Sequence, residues 1–585
     1  MREQTAFDKL LRDNHARVVF YLFTLALVLR VVYLCQYARS PFFWVPALDS
    51  LYNDNQALAI VHGHAPSAAF WRAPLYSYFL AGIYSVFGHN LIAARVIQEL
   101  LGCASCCLTY AIGLRAMRPV AALIGAAGMA FYGPMIFNDG ELQSPALEVF
   151  LDLLMLLCTA NALHSGRTRS YAAAGLLLGL SAIVRPTILL ILPLVVIAQW
   201  RARGPLAVAG TAFIACALIA PILVTARNAI VAHDPVFIAS QGGINLFAGN
   251  HDGADGFTPT TPAHYDYDGP YQDAIELYGQ RAAEEALRRP LKASEVNAYW
   301  TRRTIAWWTQ RPATALKLAC KKLILMWTQT ELRDNVAFDY VRKEWTPILW
   351  VATIGFWLAG PLGLAGMAAF AARLRTSGDD PDERVERAII WLLAAFVLVT
   401  MTSFVLFFAA ERFRLPVVPA LLLLAGLACT SLKEAIWSHD RRRSWGLYAT
   451  LAAGCLLVNI PWYRTGTPAV KALDYWSCGN RYKELNRFGE AASQYRLALR
   501  IDPRNADIWQ NLGAAYYYAG DAVDALTVWR TANQLVPSAS GYYNLGECEE
   551  TLGMHEAAKR DLRNALRIDP GHRKAQEALA AYRTP

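Results

Sequence analysis

Stretches of almost unbroken apolar residues recur from residue 17 to residue 462, and their lengths match the run of residues needed to cross about 30 Å of hydrocarbon. They fall at 17–35, 92–114, 119–137, 145–163, 171–184, 187–200, 205–225, 346–372, 387–410, 413–432 and 445–462, which predicts an all-α polytopic membrane protein with about eleven transmembrane helices. A further apolar stretch at 73–88, APLYSYFLAGIYSVFG, is short, rich in aromatic residues and opened by Pro74. It reads as a helix lying at the membrane surface.

Charge decides that reading, because short loops on the inner side of a membrane are enriched in Lys and Arg. With the N-terminus (Arg2, Lys9, Arg12, Arg17) inside, the inner loops are Arg115–Arg118, Arg167–Arg169, Arg201–Arg203, Arg373–Arg387 and Lys433–Arg443, all basic. Counting 73–88 as a span would move these loops to the outer side. The expected organisation is a cytoplasmic N-terminus (1–16), a transmembrane module (17–225) with a first outer loop (36–91), a large outer loop (226–345), further transmembrane helices (346–462) and an outer C-terminal domain (472–585). The tight turns NDGELQ (138–143) and ERFRLP (411–416) also fall outside. This places the protein in an inner (plasma) membrane, its outer segments periplasmic or extracytoplasmic. The opening MREQTAFDKLLRDNHARVV has no small-residue cleavage site after the first apolar run, so that run is expected to be a retained helix.

Over 585 residues, 55% are hydrophobic and only 17% charged, outside the range of soluble globular chains. Lys and Arg number 55 against 46 Asp and Glu, but the excess is scattered through short loops, and no nucleic-acid partner is expected. Of 11 cysteines, Cys103, Cys106, Cys107, Cys158, Cys216, Cys429 and Cys455 sit inside apolar runs, where they pack as small side chains and form no disulfide framework.

Beyond residue 472 the pattern changes to a period of 33–34 residues. Tyr475, Trp509 and Tyr542 align; so do Gly479, Gly513 and Gly546; Ala491, Ala525 and Ala558; Ala498, Ala532 and Ala565; and Pro503, Pro537 and Pro570. This resembles tetratricopeptide (TPR) repeats, an α-solenoid in which small residues let paired helices approach and Pro ends each pair. Such a solenoid offers a concave groove for a protein or peptide; a dimerising or stabilising cap is the alternative.

Polar residues in the membrane part gather at the outer boundary. The first loop carries Asp49, Tyr52 and Asp54 in LDSLYND, then His62, His64 and Arg72. A carboxylate just beyond a spanning helix is suited to act as a general base on a hydroxyl acceptor, and a solvated loop acid is the plain alternative. The outer turns add Asp139 and Glu141, Arg185, Arg227, and Arg412 with Arg414. Arginines on the side where orientation does not call for them are either interfacial snorkelers or forks for the phosphate of a lipid headgroup. Arg30, well inside the first span, either pairs with an intramembrane carboxylate or snorkels outward. In the large loop, ARNAIVAHDPVFIASQGGINLFAGNHDGADGF is turn-prone, and ALRRPL, AYWTRRTIAWW and KLACKKLILMWTQTELRDN read as amphipathic helices.

The order of Asp49 and Tyr52, RAPLYSYFLAGIYSVFG, ARVIQELLG, GELQSPALEVF, VRP, TARN, GGINLFAGN and ERFRLPVVP resembles the GT-C superfamily of glycosyltransferases over about residues 15–465. It is similar to bacterial relatives of the protein O-mannosyltransferases and of the lipid A aminoarabinose transferase. The resemblance implies a GT-C-like bundle and transfer of a sugar from a polyprenyl-phosphate donor to a protein or glycan acceptor at the outer face. It implies Asp49 as catalytic base, a second acid at Glu141 or its neighbour Asp139, and phosphate contacts at Arg72, Arg185, Arg227 and Arg414. Tyr52, Asp54 and Arg412 complete the expected substrate site. One branch of the superfamily holds a metal through an Asp-x-Asp element; NDGEL departs from it, so neither metal nor cofactor is expected. The competing readings are a membrane-anchored TPR scaffold without catalysis, and a flippase or polymerase for lipid-linked glycans. The second would need a polar route through the bilayer, whereas the polar residues gather at one face.

Overall fold

The computed structural model of the chain describes residues 6–205, 207–258, 271–374, 380–438, 441–462 and 467–582. Arg2, and residues 375–379 and 439–440 of the later basic loops, lie outside the described residues. The chain forms two compact units, Met1–Tyr37 with Pro46–Tyr463, and Ala38–Val45 with Arg464–Pro585.

The named elements of the first unit are helical. A short α1 (Ala6–Asp13) leads into the long α2 (His15–Tyr37); α3 (Pro41–Trp44) belongs to the second unit; α4 (Asp49–Val61) and α5 (Leu75–Phe87) follow. Then come α6 (Leu91–Gly113), α7 (Pro119–Ala130), α8 (Gly133–Asp139), α9 (Pro145–Ser165), α10 (Thr168–Ala182), α11 (Leu192–Arg203) and α12 (Ala207–Val231). The large loop supplies α13 (Gly242–Ala248), α14 (Tyr271–Leu287), α15 (Ala293–Gln310), α16 (Pro312–Trp327) and α17 (Phe338–Glu344), and the chain returns through α18 (Phe356–Leu374), α19 (Pro381–Ser403), α20 (Val418–Ser438) and α21 (Arg441–Asn459). Proline opens α7, α9, α16 and α19, where its missing N–H costs nothing.

Among the described residues, 7 helices are long and apolar enough to cross a membrane: His15–Tyr37, Leu91–Gly113, Pro145–Ser165, Pro186–Arg203, Ala207–Val231, Pro381–Leu406 and Glu411–Trp437. The other apolar runs are helical but shorter. The run at 119–137 breaks at Phe131 into α7 and α8; the run at 346–372 becomes a 3-10 turn followed by α18; α10 has 15 residues. Close contact between helices replaces the hydrophobic drive that lipid does not supply. A Cβ at Gly175 or Gly179 of α10 would lie 2.3 Å from Phe213 O or 2.6 Å from Ala217 O of α12, so only glycine allows that approach.

The bundle has two distinct ends. At one, Arg118 reaches Asp8 of α1 at 2.5 Å and Glu434 of α20 at 3.2 Å, while Arg203 Nε donates to Leu163 O. The N-terminal helix and several of the basic loops therefore meet there. At the other, Leu75 N donates to Ile183 O at 3.0 Å and Tyr84 OH donates to Asp54 at 2.6 Å. Both ends of α5 thus sit among residues of one end of the bundle.

The second unit is an α-solenoid of paired helices: α22 (Pro468–Glu484) with α23 (Phe488–Ile501), α24 (Ala506–Tyr518) with α25 (Ala522–Leu535), α26 (Ala539–Thr551) with α27 (His555–Ile568), then α28 (Arg573–Ala581). The aligned alanines 491, 498, 525, 532, 558 and 565 are all fully buried. The repeat begins slightly before residue 472, at the Thr467 cap, and takes in α3: the Arg481 guanidinium lies 5.9 Å from the Phe42 ring.

Candidate active site

Asp49 begins α4, where a carboxylate meets the positive end of the helix. Leu48 before it holds φ +50, a backbone state that costs a branched side chain of order 1–3 kcal/mol and is retained only where the surroundings enforce it. Asp49 Oδ1 lies 2.7 Å from Arg72 Nη1 and Oδ2 lies 2.6 Å from Arg412 Nη1. Arg72 also stacks on Tyr52, 4.3 Å from the ring centroid, one helical turn after Asp49.

Arg412 ties this pair to the rest of the rim. Its Nη1 donates to Gln143 Oε1 at 2.7 Å and its Nε lies 3.0 Å from Asp334 Oδ2, while Asn53 Nδ2 donates to Leu142 O at 3.1 Å. Behind them Arg185 pairs with Glu148 at 3.3 Å and lies over the Phe413 ring. Ser181 Oγ donates to Asp152 at 2.5 Å, one turn further along α9. The site is therefore assembled from α4, the residue-72 segment, the turns at 140–143 and 411–414, and the loop after α16.

Burial would raise the Asp49 pKa, but the two guanidiniums outweigh it and hold its carboxyl well below the usual range. Asp334 is shifted the other way: burial raises it, against Arg412. Asp49, Arg72 and Arg412 keep 18%, 23% and 16% of their side-chain surface, so small polar molecules can reach them.

Several other expected site residues are used differently. Asp139 faces Arg30 at 2.8 Å, and Arg30 also lies 3.2 Å from Glu99; all three are sealed off, at 1%, 0% and 4% exposure. This gives Arg30 its partners. Glu141 receives a hydrogen bond from Tyr37 OH and is buried. The turn carrying both acids is strapped to α6, with Gln98 Nε2 donating to Asp139 O and Glu141 O, and Arg95 Nε to Gly140 O. Gly102 makes room for the ion cluster, since a Cβ there would lie 2.1 Å from Asp139 Oδ2.

Arg227 donates to Ala68 O and Pro66 O and lies 4.2 Å from the Phe70 ring centroid, clamping the segment between α4 and α5. Arg414 is held by Glu331 and Thr328 O, both at 2.5 Å, and is 1% exposed. Asp54 is occupied by Tyr84 and His89. None of these is grouped with Asp49.

The sequence reading did not pick out Asp334, Gln143 or Glu148. The stretch ending in TQTELRDN has the pattern of a helix throughout, but α16 stops at Trp327, and the polar residues after it return to the rim as irregular chain. That cluster of polar residues after an apolar run was the available signal.

Comparison with known proteins agrees with the sequence resemblance. Residues 71–225 match the family of dolichyl-phosphate-mannose-protein mannosyltransferases, and residues 479–520 and 539–572 match TPR families. The protein O-mannosyl-transferase TMTC1 of Homo sapiens is 29% identical over 19% of this chain and 12% of its own length. FlbA of Caulobacter vibrioides is 33% identical over 19% of this chain and 18% of its own length, so the chain spans under a quarter of each of these relatives. The oligosaccharyltransferase AglB of Archaeoglobus fulgidus, solved with an inhibitory peptide and dolichol-phosphate, covers 76% of this chain and 56% of its own, with 14% identity and a TM-score of 0.38. These matches liken residues 71–225 to the protein mannosyltransferases and stretches within residues 479–572 to TPR repeats.

Proposed function

We propose that the chain transfers a sugar from a polyprenyl-phosphate donor to an acceptor hydroxyl or amine at the outer face of the membrane, with the TPR unit binding the acceptor or its carrier protein. The observation that carries the reading is Asp49 held between Arg72 and Arg412, one carboxylate and two phosphate-binding forks brought together from distant stretches of chain. Arg185 supplies a third guanidinium behind them. The meeting of α1 with basic loops at the opposite end of the bundle supports a cytoplasmic N-terminus and an outward-facing site.

The acceptor oxygen attacks the anomeric carbon as the bond from that carbon to the phosphate oxygen breaks. Its proton passes to an Asp49 oxygen, and the polyprenyl phosphate leaves with one more unit of negative charge. Arg72 and Arg412 compensate that growing charge. The same guanidiniums hold Asp49 a weak base until they fork onto donor phosphate, so donor binding restores the basicity that the acceptor requires. Asp139 and Glu141 serve to hold the turn in place.

The test is sugar transfer by the purified chain with a polyprenyl-phosphate sugar, comparing wild type with Asp49→Asn. The variant is expected to lose at least about a hundredfold in rate while still inserting and folding. Full activity would remove Asp49 from the mechanism, and absence of any lipid-linked sugar from the material extracted with the wild-type chain would count against the donor class.

A further inference from the structure

On the far side of the residue-72 segment lies a cavity of about 260 Å³, lined by Trp71, Asp234, Ser240, Glu276, Gln280 and Lys292 among others. The TARN residues fasten two of the segments that line it. Arg227 pins residues 66 and 68, while Asn228 accepts from Phe70 N and donates to Val236 O and Ile238 O. Two backbone hydrogen bonds, Ser240 N to Phe70 O at 3.0 Å and Gln241 N to Trp71 O at 3.1 Å, hold the first outer loop against the second. Trp71 thus borders the cavity, and its neighbour Arg72 pairs with Asp49.

We infer that this cavity binds a hexopyranose ring, through Trp71 as an apolar platform and Asp234, Ser240 and Gln280 as hydrogen-bonding partners. Asp234 is 3% exposed; its Oδ2 accepts the Ser294 N–H at 2.9 Å, while Oδ1 has no hydrogen-bond partner among the described residues. A buried carboxylate oxygen left in that state is destabilising, and a ligand donor relieves it. The donor that fits is a hydroxyl. Ser294 lies in the first turn of α15, so the positive helix end already offsets the Asp234 charge, and what is missing is a hydrogen bond, not a counter-ion. Lys292 also borders the cavity, with its Nζ donating to His233 O.

Size points the same way. The cavity falls just under the roughly 300 Å³ at which sites for drug-sized ligands begin, enough for a sugar ring and too small for a lipid chain or a folded peptide. Trp71 offers an indole next to polar acceptors, the mixture that a ring with apolar C–H faces and equatorial hydroxyls matches. This inference stands on the cavity's own lining and holds whether or not Asp49 is the catalytic base.

The experiment is direct binding to the full-length chain in detergent or nanodiscs, by saturation-transfer NMR and calorimetry. The probes are methyl α-D-mannopyranoside and methyl α-D-glucopyranoside, with methylammonium chloride as the cationic control. Wild type is expected to bind at least one of the glycosides saturably. Asp234→Asn keeps an acceptor for Ser294 N–H but puts an amide NH2 in place of Oδ1, and is expected to weaken binding by roughly tenfold or more. Gln280→Leu, at a partly exposed position that threatens the fold less, is expected to weaken it severalfold, and unchanged thermal unfolding shows that the variants are folded. The inference is overturned if wild type binds neither glycoside, if folded Asp234→Asn binds as wild type does, or if methylammonium alone binds and is lost in Asp234→Asn.

Discussion

Arg412 Nη1 lies 2.6 Å from Asp49 Oδ2, and the same guanidinium reaches Gln143 and Asp334, so a single side chain joins the start of α4 to three other parts of the rim. A lysine has a point charge where arginine has a planar fork and cannot hold several of these partners at once. Arg412→Lys is therefore expected to lower transfer by about ten- to a hundredfold, with a rise in the KM for the lipid donor. Steady-state kinetics on membranes carrying equal amounts of each protein measure it; a fall in kcat alone would mean that Arg412 acts only through Asp49.

The depressed pKa of Asp49 sets a pH signature. The free site has this carboxylate ionised at every pH above about 4, so Asp49 adds no acid limb to kcat/KM above that value. In the donor complex, with the guanidiniums drawn to phosphate, its limb in kcat moves upward toward the ordinary carboxylate range. Asp334 is raised by burial and titrates above it, so the profile is compared between wild type and Asp334→Asn. Coincident acid limbs in kcat and kcat/KM would show that donor binding leaves the Asp49 ion pairs intact.

Much of this arrangement was legible in the chain. Asp49 and the outer arginines were visible as charges at the wrong end of apolar runs, and the TPR unit as a 34-residue period of small and aromatic residues. The partition of acids was not. Asp139 and Glu141 look alike in sequence, and only the packing of α2 shows that Arg30 and Tyr37 occupy them. Arg227 and Arg414 likewise look like free cations until backbone carbonyls and Glu331 are placed against them. Glu99, Glu148 and Asp152 lie inside apolar runs, where their cost in lipid was a signal of pairing that the reading passed over.

The Arg30 cluster predicts a stability effect separable from catalysis. Arg30→Met leaves Glu99 and Asp139 buried without their cation and is expected to cost about 3–5 kcal/mol. Gly102→Ala pushes a methyl group into the same ions and is expected to be destabilising as well. Thermal unfolding in detergent reads both changes, and unfolding temperatures equal to wild type would show that the cluster is slack.

Lys322 offers a second pH test. It is fully buried on α16 with its Nζ donating to Asn250 Oδ1 at 2.9 Å, and burial pushes its pKa down to about 7. Its folded pKa lies below the unfolded value of about 10.4, so the unfolded chain binds more protons in between and stability rises with pH across that window. Resistance of wild type to unfolding should rise from pH 7 upward, whereas Lys322→Met should flatten that slope; identical slopes would mean that the amine stays charged.

The eight residues Ala38–Val45 fold with the repeats although the chain places them between α2 and α4. The solenoid is thus threaded into the polypeptide at two points and does not hang from one tether. Cutting the gene before Thr467 would strip the cover from Phe42 and Phe43, which are 4% and 2% exposed, a few residues upstream of Asp49. A deletion meant to probe the repeats alone would therefore also unpack α3, and point changes on the solenoid's concave side are the cleaner surgery.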